Sequence, residues 1–268
     1  MPTRLLLLLL LVIAALFAPP ARAESTRCEY PVMIIADGRV TQSTFPTNTT
    51  YWYGIYAQAG HSYSVEFAPP ADNYFNTDGV QLSIPSVYGP TDLQYCHGPS
   101  SLTVTQNSGY GPVIQRNVNG FQYGAGRRVS FTAQGAGLHL ISITNVQGAG
   151  SYSFRAVDTT LFNIRWSTCG GFDDQWGFLN LSDMPVTATF TVYDLTNRAV
   201  GSVQFTIPPG GEVVRYSNGW DLNLPRNSSG YGILSHNGPP SAVLADAYMI
   251  SASGAAVIYS KFEGGGSR

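Results

Sequence analysis

The residues with the strongest claim to chemistry sit in one run, RWSTCGGFDDQWGF at 165–178. It holds a thiol at Cys169 that could serve as a nucleophile, and adjacent carboxylates at Asp173 and Asp174 that could divide acid and base roles. The local pattern argues against both. On an extended strand neighbouring side chains point to opposite faces, so the two carboxylates would not converge on one bond. Arg165 to Thr168 reads as the end of one strand, Gly170-Gly171 as a turn, and Gln175 to Leu179 as the next strand. Trp166 and Trp176 then become packing anchors, Cys169 a small buried residue or a leftover thiol, and the two aspartates caps of the turn. The run is expected to be a structural joint.

The rest of the sequence offers no catalytic signature. A hydrolase nucleophile on a strained strand-to-helix turn needs Gly-x-Ser-x-Gly, and a zinc peptidase needs His-Glu-x-x-His; neither is present. His61 and His139 are expected on the outward faces of strands, and His97 and His236 in turns without a nucleophile or carboxylate beside them. No catalytic residue and no cofactor is predicted. Carboxylates that converge from separate strands leave no motif, so a glycan-active hydrolase or lyase stays open as an alternative. Asp72, Asn76 and Asp78 gather oxygen donors in one loop and are the candidate calcium ligands, although the same residue types are ordinary turn formers. Tyr88, Tyr110 and Tyr123, read as loop tyrosines, are the candidate ligand-binding residues, able to stack on a sugar ring or a partner protein. A polysaccharide or a protein is therefore the expected class of ligand.

The elements that would carry these residues are short strands. Alternation is clear in His61 to Phe67, where Tyr63, Val65 and Phe67 carry the apolar bulk, and in Val186 to Val192. Similar segments recur every 8 to 12 residues or so, the rhythm of a sandwich or barrel. No helical period runs beyond about two turns after residue 23. The expected fold is all-β, two consecutive β-sandwich domains of the jelly-roll or Ig-like kind, with the seam at Asp158-Thr159-Thr160. The division is 24–158, 159–263 and a flexible tail at 264–268.

Residues 1–23 read as a cleaved signal peptide: Arg4, an apolar run from Leu5 to Ala18, then Ala21 and Ala23 before the cut. Secretion to the periplasm or the extracellular space follows, with no membrane-spanning segment after cleavage. Losing Arg4 and Arg22 moves the formal charge from -2 to -4. With Lys261 the sole lysine, no basic stripe is available for phosphates, which argues against a nucleic-acid partner. Of the three cysteines, Cys28 and Cys96 are the expected disulfide, closing a loop worth on the order of 4 kcal/mol. Cys169 is left over and expected to be buried. Oligomeric state is not legible.

In the first half, TTYWYGIYAQAGHSYSVEF (49–67) and GLHLISITNVQGAGSYSFRAV (137–157) resemble the bacterial pre-peptidase C-terminal type of domain. Tyr51, Trp52 and Tyr53 match its first aromatic strand and Ala59-Gly60 the turn. Gly150, Tyr152, Phe154 and Val157 approximate its closing strand. Thr50 stands where the family commonly has Asp, and the middle loops are longer. Over residues 40 to 157 the resemblance implies a jelly-roll-like binding or spacer module attached to secreted or surface proteins. The leading expectation is a secreted, non-catalytic binding or structural module, with a subunit of an extracellular assembly as a further alternative.

Overall fold

A computed structural model describes residues 25–68, 81–82, 86–90, 107–112, 127–147, 149–254 and 257–264. Residues 1–23, read above as a signal peptide, and Asp72, Asn76, Asp78, Cys96, His97 and Tyr123 lie outside these. The described chain is all-β, as the alternation implies, and builds four sheets. No helix among the described residues is long and apolar enough to cross a membrane.

The first two sheets use strands before Thr159. One contains β1 (Val32–Met33), β3 (Thr49–Ala57), β9 (Gly137–Gln147) and β5 (Gln81–Leu82) in that order, with β6 (Ser86–Tyr88) also on β9. Its partner runs β2 (Thr41–Phe45), β10 (Gly150–Asp158), β4 (Ser62–Ala68), β8 (Arg127–Thr132) and β7 (Asn107–Pro112). Tyr51, Tyr53 and Ile55 alternate inward from β3 and meet Tyr63, Val65, Phe67, Phe131 and Phe154 in one buried core. Trp52 points to the other face, under a smaller cluster with Cys28, Tyr88, Leu138 and Leu140. Cys28 is disulfide-bonded, which pins the N-terminal segment over that face.

Two face assignments differ from the sequence reading. His139 was expected outward between two leucines, but β9 pairs it with Ile55, so it enters the core and stacks on Phe131 at 5.5 Å. Leu138 and Leu140 take the other face. Both faces of this sheet are covered, so apolar content alone does not tell which one holds the core. In β4, likewise, Ser62, Ser64 and Glu66 are buried as fully as Tyr63, Val65 and Phe67. Glu66 accepts an ion-paired hydrogen bond from Arg155 at 2.6 Å, both nearly out of solvent.

The third and fourth sheets use strands after Thr160. One runs β14 (Ala199–Ile207), β13 (Val186–Asp194), β16 (Ser229–His236), β11 (Leu161–Ser167) and β19 (Glu263–Gly264). The other runs β15 (Glu212–Tyr216), β12 (Phe172–Asn180), β17 (Val243–Ser251) and β18 (Val257–Lys261). Gly264, read as the first residue of a free tail, instead pairs with Leu161. Between the sheets lie Trp166, Trp176, Phe178, Phe190 and Leu234, all fully buried. The Trp166 indole N–H donates to the Tyr193 carbonyl at 2.9 Å, so its polar atom is satisfied while the ring packs.

Polar contacts join the two halves around Ser62. Its N–H donates to Thr160 Oγ1 at 2.9 Å, and its own Oγ accepts from Thr159 Oγ1 and from the His236 N–H. The Ser235 hydroxyl donates to the Gly60 carbonyl. His61 pairs with Asp158 at 2.8 Å, with Phe162 edge-on to its ring. His61 is therefore a buried joint residue, against the expectation of a surface position; the second half covers the strand start that would otherwise face water.

Replacing Trp176 with Ala leaves a cavity under both sheets of the second half, and losses for such changes run to about 3–5 kcal/mol. Trp176→Ala is expected to unfold that half, read as loss of its near-UV signal and a lowered first transition in urea.

Candidate functional site

The run 165–178 folds as the strand, turn and strand its pattern implies, and the contacts described between the two halves lie outside it. Ser167 ends β11 just after Trp166, Cys169–Gly171 forms a single 3-10 turn with Gly170 and Gly171 at positive φ, and β12 begins at Phe172. Cys169 is a free and exposed thiol, not a buried one, because the turn lifts it out of both strands towards the Ser228 carbonyl. The aspartates belong to the strand, not to a cap. They face opposite ways, as alternation requires. Asp173 points out and holds the 217–226 loop through Arg226 at 2.7 Å and Asn218 at 3.1 Å. Asp174 points in, accepts from the Ser167 N–H at 2.9 Å, and has an Oδ1 without a partner. Burial pushes its pKa up to about 7, with Asp173 adding to the rise and Ser167 and Arg165 opposing it. Two carboxylates on opposite faces cannot act on one substrate.

The remaining expected residues do not gather into a site. Tyr88 lies on β6, is buried, and packs on Trp52 at 5.7 Å, so it is not the free loop ring that the sequence suggested. The pinned N-terminal segment covers the face it sits on. Tyr110 stands in β7 opposite Val129. His236 is the last residue of β16, not a turn residue, and is buried at the joint between halves. Burial, then Arg128, holds its pKa down at about 4, which keeps it neutral, and the same burial keeps its ring from solvent.

A different set of residues is brought together on the outer face of the β15-β12-β17-β18 sheet. Register places Tyr216, Gln175, Tyr248 and Tyr259 in one line across the four strands. Alternation fixes their direction: Trp176 and Phe178 point into the core, so Gln175, Gly177 and Leu179 point out. Tyr216 and Tyr259 are about half exposed, at 48% and 49%. The Tyr248 and Tyr259 rings lie 5.1 Å apart, tilted by 49°. The next line along the strands is Val214, Gly177, Asp246 and Lys261.

Two carboxylates meet over that second line. A Cβ on Gly177 would lie 2.6 Å from Asp246 Oδ1 and 2.9 Å from Glu212 Oε1, so the two oxygens are at most about 5.5 Å apart above a bare backbone. The Tyr248 hydroxyl donates to Asp246 Oδ2 at 3.4 Å, and the Asp246 carboxylate, ahead of burial, raises the Tyr248 pKa. Among the described residues no ion pair joins Asp246 or Glu212 to a cation, and no three or more side chains cluster to hold a metal. The face therefore combines flat aromatic surface with hydrogen-bond acceptors and one amide.

No family model and no curated protein matches this chain. Among solved structures, Thermotoga maritima 1070 is 12% identical over 39% of this chain and 92% of its own, with a TM-score of 0.34. The full extracellular region of zebrafish Gpr126/Adgrg6 is 13% identical, covering 87% of this chain and 31% of that one, at a TM-score of 0.22. A glycosyl hydrolase family 2 member from Bacteroides cellulosilyticus is 11% identical over 81% of this chain and 27% of its own, also at 0.22. The chain thus spans under a third of the last two. Likeness this faint identifies neither a family nor an activity.

Asp174 sets a pH dependence. Its folded pKa of about 7 lies above the ordinary 3.8, so the folded state holds the proton more tightly. Stability is then lost as pH rises from about 4 to 7, by an amount on the order of 4 kcal/mol. His236 works in the other direction, with a folded value near 4 against 6.5, and costs stability as pH falls through that window. In urea titrations Asp174→Asn is expected to gain stability over the native chain at pH 8 and not at pH 4. An equal effect at both pH values contradicts the assignment.

Proposed function

We propose that this chain is a secreted, non-catalytic binding module that holds an extended polysaccharide across the outer face of the β15-β12-β17-β18 sheet. The observation that carries it is the aligned row of Tyr216, Gln175, Tyr248 and Tyr259. Sugar rings present apolar C–H faces that stack on aromatic rings, and hydroxyls that donate to carboxylates and amides. Neighbouring strands are about 4.8 Å apart, so Tyr216 and Tyr248, two strands apart, stand about 10 Å from each other. That spacing suits the disaccharide repeat of a chain laid across the strands. The rings sit on a sheet whose other face is Trp176 and Phe178, so little motion is lost on binding.

Secretion is supported by the apolar N-terminal run with its small-residue cut site and by the bonded state of Cys28. The first half, which resembles the pre-peptidase C-terminal type of domain, serves as the spacer that presents the second. Its polar joint at Ser62 fits that role.

The closeness of Asp246 and Glu212, whose oxygens lie at most about 5.5 Å apart, opens a second reading, since glycosidases act through two facing carboxylates. The pair stands on an open sheet face, where nothing among the described residues encloses a sugar from above. Release of reducing ends from a bound polysaccharide, lost in Asp246→Asn, would select that reading.

In affinity electrophoresis against soluble polysaccharides, Tyr248→Ala and Tyr216→Ala are each expected to weaken retention about tenfold, the size of an aromatic anchor in a binding site. Their near-UV spectra stay native because both rings face solvent. Unchanged retention in both variants contradicts the assignment of this face.

A further inference from the structure

The polar groups of the tyrosine face say which polysaccharide it suits, and this step rests on the reading of that face as the binding surface. Asp246 and Glu212 lean over Gly177 from the two neighbouring strands and repel each other. Other acidic groups nearby are neutralised: Asp173 by Arg226, and Asp221 by Arg215. Lys261 lies opposite Asp246 in register but makes no ion pair with it. Among the described residues neither carboxylate is held in an ion pair, and both stand beside an aromatic surface.

The opening between them is small. A single added methyl group on Gly177 would collide with both oxygens, so the slot reaches the bare backbone of β12. A group entering it meets two anionic acceptors and the neighbouring ring of Tyr248, whose hydroxyl is turned to Asp246. An ammonium matches the carboxylate pair: it has donors only, and it is attracted by both. A calcium ion does not match, because it takes 6 to 8 oxygens and the described residues supply no such set. Sulfated or uronic polysaccharides are repelled. A neutral polysaccharide brings no charge to the carboxylate pair.

We infer that the polysaccharide held on this face carries protonated amino groups, one of which seats between Asp246 and Glu212 over Gly177. The ligand class is a polymer of amino sugars with free amines, its pyranose rings on Tyr216 and Tyr248.

The test is isothermal titration of the chain lacking residues 1–23, at pH 6 and low salt. The probes are soluble oligomers of β-1,4-linked glucosamine, N-acetylglucosamine and glucose of equal length. The glucosamine oligomer is expected to bind at least tenfold tighter than the other two. That preference is expected to vanish in Asp246→Asn and in Glu212→Gln, and to survive in Asp183→Asn, which removes the same charge from an exposed turn elsewhere. Gly177→Ala is expected to lower it too, with Tyr248 stacking retained. Equal binding of the three oligomers overturns the inference and leaves the polysaccharide reading standing. Loss of the preference in Asp183→Asn overturns it as well, because the attraction is then diffuse and not seated. Binding of none of the three, nor of any polysaccharide in the electrophoresis panel, removes the polysaccharide reading and this inference with it.

Discussion

The burial of Trp176 on the inner face of β12 is the constraint on which the second half depends. The strand is paired on both sides, to β15 and to β17, so its register sets theirs. With side chains alternating at a period of two, a slip of one residue would bring Trp176 and Phe178 to solvent and drive Gln175 and Gly177 inward. Fully burying such rings is worth roughly 2–3 kcal/mol each, which makes the slip prohibitive. The same constraint that closes the core therefore fixes the outward row of Tyr216, Gln175, Tyr248 and Tyr259. The face proposed to bind is the reverse side of the core.

The sequence pattern carries the architecture further than the site. The alternation of β4 and β13, the turn at Gly170-Gly171 and the two tryptophan anchors are legible because each is local. The row of tyrosines is not, because Tyr216, Tyr248 and Tyr259 come from three strands and align only through pairing. A faint signal existed in Asp246-Ala247-Tyr248-Met249, where small and apolar residues at 247 and 249 alternate with a carboxylate and a phenol. Gly177, between Trp176 and Phe178, was a second one: a glycine in a strand centre marks a close approach by a neighbour. The loop tyrosines looked the freer candidates because loops are usually exposed. Tyr88 shows the failure of that rule, since it packs on Trp52 beneath the segment held by Cys28.

Histidines and acids were misplaced for a related physical reason. Position in a strand gives the side of the sheet but not what covers it. His61, His236 and Ser62 look solvent-facing until the second half is set against the first. The joint is largely polar, with hydroxyls and backbone amides satisfying one another, and His236 stays neutral there because burial and Arg128 disfavour its charge. Asp174 is the opposite case, a carboxyl drawn inward by the strand period and held by the Ser167 N–H, while its backbone N–H donates to the Ser217 hydroxyl. Asp174 and His236 have shifted acidities whose largest cause is structural burial, not a place in a catalytic site.

The central claim is that ligand contact lies on the β15-β12-β17-β18 face, and amide chemical-shift mapping of the isotopically labelled chain tests it most directly. On titration with a retained oligosaccharide, the account predicts shifts concentrated at Gln175, Gly177, Glu212, Val214, Tyr216, Asp246, Tyr248 and Tyr259. Shifts concentrated in residues 69–126 of the first half, with this sheet unmoved, would contradict it.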